Sequence, residues 1–269
     1  MAVFLCAAGA EAQNPAVLPA STPVEAECGL IASEMVTLNL SVWSKNKGYL
    51  RGLSDKNFEI FDGKTKQPIE FFKQQDEPLS VGILFDLSDS MENRAGQSEI
   101  PLAVDGLISF INASNPQNEY FIIAFAREAA TLLEPTQNRK EIETALKILL
   151  SGKKGGNTSF FDALNGGFEK LSKGRFDKKM LLVVSDGVDN NSKNNFADIK
   201  RKTAQNSNVM LYQINLLTDS LDDGSLEALQ SANFFERIVE KNGGRVFYPK
   251  NRRQTTEAFE TLTDELKSQ

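Results

Sequence analysis

Histidine is absent from the 269 residues. That removes Ser-His-Asp and Cys-His catalysis, zinc sites that need imidazole, and any histidine-based pH switch. Cysteine is nearly absent: Cys6 and Cys28 permit at most one disulfide, and Cys6 lies in a segment that reads as removable, which would leave Cys28 unpaired. An excess of positive charge is missing too. Thirty Lys and Arg against 36 Asp and Glu leave a net charge of −6, so nothing favours a polyphosphate backbone and nucleic acid is not an expected partner. No stretch approaches the roughly 18 uninterrupted apolar residues of a membrane span, so the mature chain is not expected to cross a bilayer. Neither a Walker phosphate loop nor a Gly-x-Gly-x-x-Gly dinucleotide loop occurs.

What is present is an ordinary globular composition, 41% hydrophobic and 25% charged, long enough for one large or two modest domains. Residues 2–10 are short, apolar and rich in small side chains, and Ala10-Glu11-Ala12 resembles a cleavage site. Residues 1–12 therefore read as the remnant of a secretory signal peptide, although no Lys or Arg precedes the apolar run. A secreted, periplasmic or cell-envelope location is the expectation. Residues 13–29 carry Pro15, Pro19 and Pro23 among Ala, Ser and Thr, which is linker composition. Residues 30–77 read as a small all-β module, a β-sandwich or immunoglobulin-like unit. Its signals are the alternation Val36, Leu38, Leu40, Val42, a second strand around Phe58, Ile60 and Phe61, the hairpin signal Asp62-Gly63, and a third strand at Ile69, Phe71 and Phe72.

After Pro78 the rhythm changes to apolar strands alternating with amphipathic helices, which predicts an α/β fold with a doubly wound, mostly parallel sheet over residues 78–269. Strands are expected at 80–85, 120–125, 180–185, 209–216 and 245–248. Residues 129–133 lie too close to the preceding strand for a helical crossover and read as an antiparallel edge. Ile100, Val104, Leu107, Ile108 and Ile111 share one helical face, as do Ile142, Ala145, Leu146 and Leu149 behind an Asn138-x-x-Glu141 capping box. Helices at 159–171, 196–205, 232–241 and 255–266 complete the set. Ligands of such sheets bind beyond the strands' carboxyl ends.

Three loops there carry chemistry. The first expected strand runs into Asp86-Leu87-Ser88-Asp89-Ser90, an Asp-x-Ser-x-Ser string; the 180–185 strand ends in Asp186-Gly187-Val188-Asp189; and Gly155-Gly156-Asn157-Thr158 opens a helix. Hydroxyls and carboxylates suit a hard cation such as Mg²⁺ far better than a soft metal. At these positions the chain resembles a von Willebrand factor A domain, whose metal-ion-dependent adhesion site combines Asp-x-Ser-x-Ser, a Thr from a Gly-rich loop and an Asp from a Ser-Asp-Gly turn. The β-module ahead of it is similar to secreted bacterial proteins related to that family. The resemblance implies Mg²⁺, or Mn²⁺, with Ca²⁺ as a third candidate, held by Asp86, Ser88, Ser90, Thr158 and Asp186. It implies a partner protein presenting an Asp or Glu carboxylate, and no enzymatic activity. Asp89 departs from the family's usual small residue; it reads as a solvated loop charge, with two alternatives: a second layer of negative charge shared with Asp189, or direct ligation that enlarges the oxygen shell in the direction Ca²⁺ prefers.

Two other readings compete. An Asp at a strand end beside Mg²⁺ could serve metal-assisted hydrolysis of a phosphoryl group or ester, but the residue two positions on is Ser88 rather than a second Asp, and no base is evident. A scaffolding domain with a vestigial metal site is the other, against which stand the intact residues at all five positions.

Overall fold

The computed structural model describes residues 36, 38, 40, 42–44, 48–50, 52–73, 76–91, 98–152, 155–216 and 226–267. The signal-peptide remnant, the linker, Cys6 and Cys28 lie outside the described residues. The chain divides into two units, residues 1–37 and 38–269, and the second carries the architecture that follows.

Ahead of the main sheet stand two separate two-stranded ribbons, β1 (Trp43–Ser44) with β2 (Gly48–Tyr49) and β3 (Ile60–Asp62) with β4 (Thr65–Gln67). The β-sandwich expected over 30–77 is not shown by the described residues, none of which is buried before Leu79. The Asp62-Gly63 hairpin forms, with Gly63 at φ 60°. Its return strand is Thr65–Gln67, not the residues around Phe71, because a two-residue turn leaves no slack: Asp62 pairs directly with Thr65. Leu38 and Leu40, expected on the inner face of a strand, are in no strand and are 53% and 47% exposed.

The main sheet has six strands: β5 (Ser80–Asp86), β6 (Glu119–Phe125), β7 (Ala129–Thr136), β8 (Lys179–Val184), β9 (Val209–Ile214) and β10 (Arg245–Phe247), in the order β10-β9-β8-β5-β6-β7. All neighbours are parallel except β7, which runs antiparallel to β6 at the edge. Every residue of β5 and of β9 is buried, which is why these segments are continuous apolar runs rather than alternating ones. Helices α1 (Glu99–Ala113), α2 (Arg139–Ser151) and α6 (Arg252–Lys267) cover one face through residues such as Leu107, Leu146 and Phe259. Helices α3 (Phe160–Ser172), α4 (Phe196–Gln205) and α5 (Leu226–Lys241) cover the other through Phe168, Ile199 and Phe235. The fold is doubly wound, as expected, though α5 begins six residues before its expected start at 232. The Asn138 signal also works differently in detail. Its side chain accepts from Lys140 N and donates to Glu141 Oε1, while its own N–H goes to Thr136 Oγ1.

From β5 the chain builds outward through β6 and β7, then crosses to β8 on β5's other side. The reversal of strand order therefore falls between β5 and β8, and the loops that leave their carboxyl ends flank the crevice where such sheets bind ligands.

Candidate metal centre

At the carboxyl end of β5, Asp86 is fully buried. Its Oδ1 accepts the Ser88 N–H at 2.8 Å and its Oδ2 accepts the Ser185 hydroxyl at 2.6 Å. The first of these bonds folds the chain back on itself, as Asx turns do. The hydroxyls of Ser88 and Ser90 then stand 3.0 Å apart. Ser88 is buried and Ser90 is exposed, so the pair spans from the interior to the surface.

The loop after β8 presents the second carboxylate. Gly187 takes φ 80°, a left-handed conformation that a Cβ would strain, and its N–H donates to Ser185 Oγ at 3.0 Å. Val188 N–H donates to Asp186 Oδ1 at 3.0 Å, and Asn215 beyond β9 anchors the Asp186 carbonyl at 3.2 Å. The Ser90 hydroxyl also bonds the Asp186 carboxylate. The Gly-rich loop closes the arrangement. Gly155 N–H donates to Leu87 O at 2.8 Å; Thr158 N–H donates to Asn190 Oδ1 at 2.7 Å; and Asn190 and Asn191 return their N–H groups to Thr158 O at 3.1 Å.

Of the five expected ligands, Asp86, Ser88, Ser90 and Asp186 are thus linked by direct contacts, whereas Thr158 bonds none of them and is tied through its backbone to Asn190 and Asn191, on the loop that follows Asp186. Thr158 is 4% exposed, yet among the described residues nothing hydrogen-bonds its hydroxyl. Such an orphan is costly unless something else satisfies it.

The electrostatics point the same way. Burial, then the neighbouring Asp186 charge, push the Asp86 carboxyl up to about 7 against the opposing bonds from Ser185 and Ser88. Burial likewise raises Asp186, against bonds from Ser90 and Val188. Among the described residues no Lys or Arg pairs with either carboxylate. Two buried acids with no protein cation, and a buried hydroxyl left unbonded in the Gly-rich loop, fit a hard divalent ion in charge and donor type. Among the described residues no three His, Cys, Asp or Glu side chains gather to hold a metal, so a cation held here would need hydroxyl donors as well.

Asp89 and Asp189 stand apart from this set. Asp89 is exposed, its Oδ1 lying 2.5 Å from where a Cβ on Gly155 would be. Asp189 Oδ1 accepts Phe161 N–H at 3.2 Å and the Ser192 hydroxyl at 2.5 Å, so it serves the N-terminus of α3. Sequence reading passed over Ser185, which holds Asp86, and Asn190, which holds Thr158. Ser185 is adjacent to Asp186 and so was within reach of the motif. Asn190 has no local signal, because its partner is 32 residues away.

Residues 81–188 match the family model of the von Willebrand factor type A domain. No curated protein sequence matches the chain. Among solved structures it is similar to the conserved hypothetical protein BatB from Bacteroides thetaiotaomicron, at 14% identity over 71% of this chain and 100% of that one, with a TM-score of 0.52. It is also similar to the pilus adhesin SpaC from Lactobacillus rhamnosus GG in its open conformation (14%, 72% of this chain, 31% of that one, TM-score 0.57) and to a von Willebrand factor type A protein from Catenulispora acidiphila (15%, 71% and 43%, 0.57). At these identities the likeness speaks for the fold. The matched segment runs from β5 to the Asp186 loop, and over that part both the sequence and the fold are similar to a von Willebrand factor type A domain.

Proposed function

We propose that this domain is a protein-binding module of the secreted or cell-envelope compartment that captures an Asp or Glu of a partner through a divalent cation, Mg²⁺ or Mn²⁺, with Ca²⁺ the weaker fit. The observation that carries the reading is the pair of buried carboxylates, Asp86 and Asp186, left without a protein cation, with the unbonded Thr158 hydroxyl in support. Asp86, Ser88, Ser90, Thr158 and Asp186 would hold the ion. When bound, it supplies an electrophilic coordination position open to a partner's carboxylate. The chain's own part is to keep the donors in place: Ser185 orients Asp86, Asn190 fixes the Thr158 backbone, and the Ser88–Ser90 contact keeps both hydroxyls together. Binding is favoured over hydrolysis because the position two residues after Asp86 offers a hydroxyl, and no histidine is present in the chain to act as base. The pilus adhesin among the similar structures agrees with an adhesive module outside the cytoplasm. Among the described residues no helix is long and apolar enough to cross a membrane.

Titration calorimetry with Mg²⁺ tests this. Wild type should bind, and Asp86→Ala, Ser90→Ala and Asp186→Ala should lose the heat while keeping a native circular dichroism spectrum. Equal binding by all four proteins would refute the site.

A further inference from the structure

Beside the candidate metal loops lies a groove of about 890 Å³ that the metal reading does not use. One wall is the outer part of edge strand β7, through Ala129 and Thr131; the other is a stripe of α3 through Asp162, Gly166 and Glu169 that ends at Lys173, the residue capping the helix. These positions recur at the spacing of a single helical face. The stripe spans eleven residue steps, roughly 16 Å at 1.5 Å per residue, which matches about five residues of extended chain. The groove exists because β7 projects past α3. Thr131 and Ala129 pair with Ile123 and Phe125, whose side chains belong to the α3 core, so residues of β7 pointing the same way emerge beside that helix.

The top of the groove is joined to the metal loops by bonds. Arg127 O accepts the Ser159 hydroxyl at 2.6 Å and the Asn191 side-chain amide at 2.6 Å. Ser159 directly follows Thr158, and Asn191 directly follows the asparagine that fixes it. The Arg127 side chain stands over the Gly-rich loop, its Nε 4.0 Å from where a Cβ on Gly156 would be. Arg127 is exposed, and among the described residues no ion pair or hydrogen bond engages its guanidinium.

The charges in the groove are unevenly spent. Asp162 accepts the N–H groups of Lys193 and Asn194 together with the Asn194 amide, and Glu169 accepts from Asn165 and Lys202. Lys170 is paired with Glu134 at 2.7 Å. That leaves Arg127 and Lys173 without partners among the described residues, against the unpaired acid Glu128, while the charge of Lys193 already acts on Asp162. In a chain of net charge −6, a groove with spare positive charge selects for an acidic occupant.

We infer that this groove is the second half of the partner site: it takes an extended, acidic segment of a partner protein, about five residues long, continuous with the residue whose carboxylate reaches the metal loops. Arg127 engages a carboxylate near the top, and Lys173 engages another toward the far end of α3. The assignment rests on the metal-mediated reading above and extends it from one carboxylate to a run of them.

Fluorescence polarisation with a labelled, capped octaglutamate separates the two ideas. Wild type with Mg²⁺ should bind it and should not bind octaglutamine. The double variant Arg127→Glu/Lys173→Glu should weaken binding at least tenfold while retaining the Mg²⁺-induced rise in melting temperature. Lys267→Glu, on α6, should change affinity less than twofold. Mg²⁺-dependent binding that is indifferent to the double variant overturns the groove and leaves the metal site standing. Binding lost in the double variant but unmoved by Mg²⁺ or chelator supports the groove and removes the metal reading. Absence of octaglutamate binding overturns the groove outright.

Discussion

Asp86→Asn should make the metal-free protein more stable at pH 8 while removing its response to Mg²⁺. The reasoning starts from the carboxyl being pushed up to about 7 by burial and by Asp186, against an ordinary value near 3.9 in the unfolded chain. The folded state therefore binds more protons between those values. Its stability is greatest below about pH 4, is lost as the pH rises toward and through about 7, and levels off above. Carrying the charge at pH 8 costs on the order of 4 kcal/mol at most. Asparagine keeps an acceptor for the Ser88 N–H. It places an amide donor opposite the Ser185 hydroxyl, which already accepts from Gly187 at 3.0 Å, and this mismatch returns about 1–2 kcal/mol. A net gain of about 2 kcal/mol corresponds to a melting temperature higher by roughly 4–8 °C for a domain of this size. At pH 5, where wild type keeps its proton, the gain should vanish or change sign. Thermal and urea unfolding of both proteins in chelator at pH 5 and pH 8 measures this. Equal destabilisation by the substitution at both pH values would refute the claim that a buried, uncompensated charge sits at Asp86.

Thr158→Val removes the orphaned hydroxyl at nearly constant volume. Stability in chelator should stay within about 1 kcal/mol of wild type, while Mg²⁺ affinity measured by calorimetry falls at least tenfold. Gly155→Ala forces a side chain into φ 107° and should cost about 1–3 kcal/mol by urea unfolding. Asp189→Ala should destabilise the start of α3 by about 1 kcal/mol and leave Mg²⁺ affinity within threefold, whereas a large loss would return Asp189 to the metal site. Asp89→Gly should likewise change Mg²⁺ affinity less than threefold.

The α/β half of the chain was readable because its signals are local. A short apolar run such as Val81-Gly82-Ile83-Leu84-Phe85, bounded by Pro78 and the polar Asp86–Ser90 string, fits a strand buried on both faces, and the short link from Phe125 to Ala129 allows only an antiparallel return. The motif residues were legible because each follows directly on such a strand or opens a helix. What escaped were relations between distant segments. Asp189 looks like a neighbour of Asp186, yet its bonds go to Phe161, 28 residues back. Arg127 belongs to no motif, and its place over the Gly-rich loop comes only from the folded turn between β6 and β7. The alternation at Leu38 and Leu40 misled for a related reason: a period of two describes a face able to be buried, and only a partner surface buries it.

The two carboxylates and Thr158 differ in how they are mounted. Asp86 ends a strand held along seven registered positions on one side and six on the other, and the loop of Asp186 leaves its immediate neighbour. Central strands of this kind exchange their amide hydrogens only when the whole domain opens. Thr158 hangs on a glycine-rich loop held by individual bonds, to Leu87, Asn190 and Asn191 and, through Ser159, to Ala126 and Arg127, rather than by a strand ladder, and a segment held in this way opens at smaller free energy than a central strand. The acidic half of the site is therefore permanent for as long as the domain is folded. Any graded control of ligand residence time would have to act through the loop that carries the hydroxyl.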